Sequence, residues 1–194
     1  MQQLHSAFEL LGMLLADARL MSLMALLTVA ACIDYRTYRI PNWLTLSGAV
    51  LGMAFNTLAP ALLHQGFWWA ASGALIGFAV TLPLYLLRVM GAGDVKLITA
   101  VGTFVGASGI LPAFLCIFAT GGAAALLFAW SRKLMKPMLA NVRAIVRHAV
   151  LSGVSGLTPA LELEASRSVG KLPYGVSIAL GTGVYVVASQ LGYF

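Results

Sequence analysis

Charge is scarce in this chain of 194 residues: 9% of it is Asp, Glu, Lys or Arg, against about 25% in an average soluble domain. A soluble protein must cover its surface with polar groups, and so few charges cannot do that when 60% of the residues are apolar. Cysteine is nearly absent, and Cys32 and Cys116 both sit in apolar surroundings, which excludes a disulfide framework and a thiolate zinc tetrad. Histidine is limited to His5, His64 and His148, and none begins an H-E-x-x-H motif, so neither a metal nor a cofactor is expected. No tandem repeat of solenoid period is present. A membrane protein is the class that remains. The net charge of +6 then belongs to loops facing the cytoplasm and not to a nucleic-acid surface.

What is abundant is apolar sequence. A membrane-crossing helix needs about 20 largely apolar residues, and stretches at roughly 18–34, 43–63, 67–87, 95–107, 110–130 and 175–193 supply them, the fourth being short. The expected fold is all-α, a polytopic membrane protein of about six transmembrane helices. It forms a single domain over residues 1–194 with a cytoplasmic loop at about 131–174. If the spans alternate, 11 of the 12 basic residues share one side, including Arg36, Arg39, Arg88 and Lys96, and only Arg19 is left over. The positive-inside rule makes that side cytoplasmic and places both termini outside. In the long loop Met138, Val142, Ile145, Val146 and Ala149 recur at helical spacing, while Lys136, Arg143 and Arg147 lie on another side. Such a pattern suits an amphipathic helix on the anionic inner leaflet. The pairs Gly48 and Gly52, Gly73 and Gly77, and Gly102 and Gly106 place small residues one turn apart, so the second, third and fourth spans are expected to pack closely.

Of three aspartates and three glutamates, Glu9 and Asp17 fall on the outer side and Glu162 and Glu164 in the long loop. Asp34 ends the first span and Asp94 opens the fourth, within Gly91-Ala92-Gly93-Asp94-Val95-Lys96. Two intervening crossings return the chain to the same face, so both carboxyls lie at one membrane depth. Ionisable groups at the hydrocarbon edge are costly to desolvate and are functional candidates. Two carboxyls brought within a few ångströms tend to share one proton, which is what aspartic proteolysis requires. The ionised partner takes a proton from water while the protonated one polarises the scissile carbonyl. Taken singly, each aspartate also reads as a helix cap, Asp94 as an N-cap, or as an interfacial partner of Arg36 or Lys96. Gly91 and Gly93 permit a close backbone approach, and Lys96 serves as a charge beside Asp94 or as a snorkelling anchor.

These residues resemble the type IV prepilin peptidase family, also called leader peptidases, of the G-x-G-D class of intramembrane aspartic proteases. The first matching block is Asp34-Tyr35-Arg36-Thr37-Tyr38-Arg39-Ile40-Pro41-Asn42, similar to the family's aspartate followed by Ile-Pro-Asn. The second is Gly91-Ala92-Gly93-Asp94-Val95-Lys96-Leu97, and the third Leu172-Pro173-Tyr174-Gly175 before the last span. The resemblance covers essentially residues 20–193. It implies that Asp34 and Asp94 are the catalytic pair, that Pro41 and Asn42 shape the entry to the second span, that Gly91 and Gly93 shape the loop presenting Asp94, and that Pro173 positions the substrate strand. It further implies cleavage of prepilin leaders after a glycine, at the cytoplasmic side of the bacterial inner membrane, with the prepilin and the lipid bilayer as partners. No paired C-x-x-C motifs are present, so the chain is similar to the short, peptidase-only form associated with Flp-type (Tad) pili.

Other classes make different demands. A serine protease reading rests on Gly106-Ala107-Ser108-Gly109 and Gly153-Val154-Ser155-Gly156, but the three histidines lie outside the expected spans, away from a base position. A non-enzymatic scaffold or small transporter would use Asp34 and Asp94 as ion-binding or capping residues, and a transporter would place them near the bilayer midplane.

Overall fold

A computed structural model describes residues 17–58, 66–87, 90–131, 143 and 173–193. Five helices follow in chain order: α1 (Ala18–Thr37), α2 (Asn42–Leu58), α3 (Phe67–Leu86), α4 (Ala92–Ser131) and α5 (Tyr174–Gln190). There is no strand among the described residues. The chain divides into two compact units, one of residues 1–121 with 173–194 and one of residues 122–172. All packing described below lies within the first. The segment expected as an amphipathic helix, apart from Arg143, the residues around His64 and the rest of the interior of the long loop lie outside the described residues.

Local chemistry sets the helix limits. Asp17 caps α1, its Oδ1 accepting from the Arg19 and Leu20 amides at 2.9 and 3.3 Å. At the other end Tyr38 turns left-handed (φ 51°) and its N–H returns to the Asp34 carbonyl at 2.8 Å. Pro41 precedes α2, and its carbonyl accepts from the Leu44 and Thr45 amides. Asp94 stands inside the first turn of α4, not at its N-cap as position alone would allow. Its side chain reaches back to the Gly91 amide at 3.1 Å, the reciprocal bond of a capping box.

By length and composition α1, α3 and α4 each suffice to cross a membrane. Large apolar side chains such as Leu75, Leu115 and Leu180 stand 61–69% exposed on the outside of the bundle, as lipid-facing residues would. The protein is accordingly a membrane protein. The stretches at 95–107 and 110–130 both fall in α4, which is two helical limbs joined at Gly106, where the backbone is not helical (φ 69°, ψ −176°). Ile98 and Ile110, which a straight helix would hold about 18 Å apart, both lie against Gly77, so the chain folds back at Gly106.

Small residues set how near the helices come. A Cβ on Gly73 would strike the Gly102 carbonyl, and a Cβ on Gly102 the backbone of Gly73, so α3 and α4 meet backbone to backbone. Gly52 of α2 faces Thr103 and Phe104, as the sequence pattern led one to expect, whereas Gly48 faces Leu26 of α1. Around these contacts Leu23 and Leu27 of α1, Leu97, Ile98, Val101 and Phe104 of α4, and Ile178 of α5 are fully buried. The buried Asn56 side chain donates to the Gly52 and Thr103 carbonyls, each at 2.9 Å, and its Oδ1 accepts from Arg19 at 3.3 Å. The basic residue left over by the charge pattern is thus drawn inward, held also by Asp17 at 3.6 Å and by the Trp69 ring at 5.7 Å.

Gly106 occupies a backbone region open essentially to glycine alone, and Trp69 covers the place a Cβ would take. Gly66 has a similar conformation (φ 92°, ψ 163°) with open space beside it. Gly106→Ala is therefore expected to destabilise the protein beyond the about 1–3 kcal/mol of backbone strain, and Gly66→Ala by no more than that, in denaturant unfolding followed in detergent micelles.

Candidate active site

Three separate stretches of sequence meet at one end of the bundle. Asp34 arrives on the last turn of α1, Asp94 on the first turn of α4, and Gly175 on the first turn of α5. Asp34 is 5% exposed and Asp94 9%. The Gly175 amide donates to Asp34 Oδ2 at 2.7 Å, and the Gly91 amide to Asp94 Oδ2 at 3.1 Å. Each carboxyl thus has one oxygen held by the backbone of a glycine at a helix start. Among the described residues neither Oδ1 has a hydrogen-bond partner.

The residues around them tie the stretches together. A Cβ on Gly93 would meet the Ile40 Cβ at 3.1 Å and its carbonyl oxygen at 3.4 Å, so the loop before α2 lies directly against the start of α4. Lys96 donates from Nζ to Asn42 Oδ1 at 2.8 Å across the same junction. Lys96 itself is exposed, which leaves its charge solvated rather than buried against Asp94. The Pro41 carbonyl accepts from the Leu44 and Thr45 amides of α2. Pro173 is the N-cap of α5, and its carbonyl accepts from Val176 at 3.2 Å. Of the eight residues singled out in the sequence, Asp34, Asp94, Gly91, Gly93, Lys96, Asn42 and Pro41 thus lie in or beside one junction, and Pro173 stands two residues from the amide that reaches Asp34. Among the described residues no three His, Cys, Asp or Glu side chains gather as a metal site would need.

The sequence profile of the type IV leader peptidase family matches residues 21–127, more than half of the chain and a stretch that includes both aspartates. The chain belongs to the type IV leader peptidase family. Members of this family are peptidases, and the apolar helices agree with a membrane as their setting. No curated protein and no solved structure matches the chain. Pro173 and Gly175 lie beyond the matched residues, so the contact of α5 with Asp34 adds a component that the family match does not contain.

Gly175 lies within the third sequence block but is a site component that its residue type does not single out. It contributes a backbone N–H, which any residue but proline carries, so its type did not advertise its use. The available signal was position: the first amides of a helix have no partner inside it, and a glycine there leaves room for a neighbouring side chain. A Cβ at Gly175 would lie 2.9 Å from the Asp34 Cβ.

Because Gly93 carries the contact between the two leading blocks, Gly93→Val should part Ile40 from α4. A loss of about 1–3 kcal/mol in unfolding free energy is expected from such overpacking. Ala92→Val, one residue away and exposed, should change stability by less than about 0.5 kcal/mol.

Proposed function

We propose that the protein cleaves the leader peptide of type IV prepilins of the Flp type, after a glycine and at the cytoplasmic face of the bacterial inner membrane. Asp34 and Asp94 are the catalytic pair. One observation carries this reading: two aspartates sixty residues apart in sequence are buried at the same end of the bundle, each oriented by a glycine amide.

Peptide hydrolysis by such a pair needs one carboxylate and one carboxylic acid. The carboxylate removes a proton from a water molecule, and the water oxygen attacks the carbonyl carbon while the acid gives its proton to the carbonyl oxygen. The resulting tetrahedral diol collapses as the amide nitrogen is protonated and the C–N bond breaks, which returns one proton to the pair. The two fragments together contain the elements of one water more than the substrate. Burial excludes bulk water from around the diol, and the location at a helix-end junction still lets single water molecules enter. The basic residues Arg36, Arg39 and Lys96 are exposed at this end, which supports placing it toward the cytoplasm. A substrate whose leader lies in the cytosol and whose apolar helix lies in the bilayer would present its junction at this depth.

The test is cleavage of a prepilin with a glycine-ended leader by the purified protein in liposomes. Asp34→Asn and Asp94→Asn should each lower kcat by roughly 10²–10⁴-fold with insertion unchanged. Cleavage at the unaltered rate in either variant would overturn the two-aspartate mechanism. For the unaltered protein, activity against pH should be bell-shaped, falling on the acid side as both carboxyls protonate and on the alkaline side as both ionise. A flat profile across the acidic and neutral range would count against a shared proton.

A further inference from the structure

The surroundings of Asp34 pose an electrostatic problem. It stands in the last turn of α1, where the unpaired carbonyls of a helix C-terminus disfavour a negative charge. The residue is 5% exposed, so water supplies little compensation. What meets it is the start of another helix. The Gly175 amide, in the first turn of α5, donates to Oδ2 at 2.7 Å. That length is typical of charge-assisted bonds from N–H to a carboxylate. The residue type is also demanded, because a Cβ would sit 2.9 Å from the Asp34 Cβ and 3.0 Å from Oδ2. With Oδ2 held, Oδ1 is the oxygen left without a partner among the described residues.

Resting on the peptidase reading above, we propose that Gly175 is a positioning residue for that reaction: its backbone amide fixes the Asp34 carboxyl so that Oδ1 is presented to the attacking water. The first turn of α5 is then a third component of the site, beside the two aspartate blocks. It acts through Asp34 and makes no contact with substrate. Because the oriented carboxyl is used in the chemical step and not in holding the substrate, its loss lowers kcat and leaves KM in place.

The experiment replaces the amide at position 175 by an ester, through incorporation of glycolic acid, which removes the N–H and adds no atom against Asp34. An ester at position 176 is the matched control, since among the described residues the Val176 amide bonds the Pro173 carbonyl, at 3.2 Å. Both changes take one hydrogen bond from the first turn of α5. Cleavage of the prepilin by the full chain in liposomes should show kcat down roughly tenfold or more for the ester at 175, with KM unchanged and the melting temperature equal to that of the control. The ester at 176 should keep kcat within about twofold. Gly175→Ala, which retains the N–H but pushes on Asp34, should also lower kcat without raising KM. Equal kcat for the two esters, or a fall confined to KM, overturns the assignment of Gly175 while leaving the two-aspartate reading standing. Failure of the unaltered protein to cleave, or full activity of Asp34→Asn, overturns that reading and this assignment with it.

Discussion

The approach of α3 and α4 to backbone contact at Gly73 and Gly102 is the constraint on which the remaining packing rests. Lipid tails are as apolar as leucine, so helices in a bilayer gain little from hiding apolar side chains against one another. What they gain comes from dispersion between closely fitted surfaces and from hydrogen bonds between elements. Two glycines opposite one another allow that fit, and the consequences spread from there. Phe104 and Thr103 are brought against Gly52 of α2, and Ile98 and Ile110 against Gly77 of α3. Asp94, about two turns before Gly102, is thereby held at the end of the bundle where α1 meets α5.

Much of this arrangement could be read in the sequence, and the parts that could not share a cause. Apolar length and the distribution of basic residues point to a helical membrane protein, and the glycine pairs point to close packing of the second to fourth spans. Asp34 and Asp94 stand out because carboxyls are few and costly in such a chain. Harder to read was the use made of the backbone. Gly106 belongs to one of the spaced glycine pairs, yet it serves as the point of chain reversal, and the same letter stands for both uses. The break was therefore expected a few residues later, between stretches ending at 107 and beginning at 110. Asp94 looks from its position like an N-cap, but it bonds backward from the third position of the turn. Asn56 falls inside an apolar stretch where nothing marks it as the residue joining α1, α2 and α4.

The site itself divides along the same line. Its side-chain members, Asp34, Asp94, Asn42 and Lys96, carry recognisable chemistry at recognisable spacings. Its backbone members, Gly91 and Gly175, act through amides that every non-proline residue possesses. The glycines at 91 and 93 stand out in the sequence for the close backbone approach they permit, and the structure uses the first as a hydrogen-bond donor and the second as a gap for Ile40. In both cases the absent Cβ matters more than an unusual φ.

The fold-back at Gly106 also bears on the membrane around the protein. From Ala92 to the reversal the first limb of α4 is about 21 Å long at 1.5 Å per residue, and the hydrocarbon core of a bilayer is about 30 Å thick. A limb that short cannot reach from one polar boundary to the other. Either the bilayer thins beside it or the limb ends below one surface, and both bring headgroups and water nearer to buried backbone.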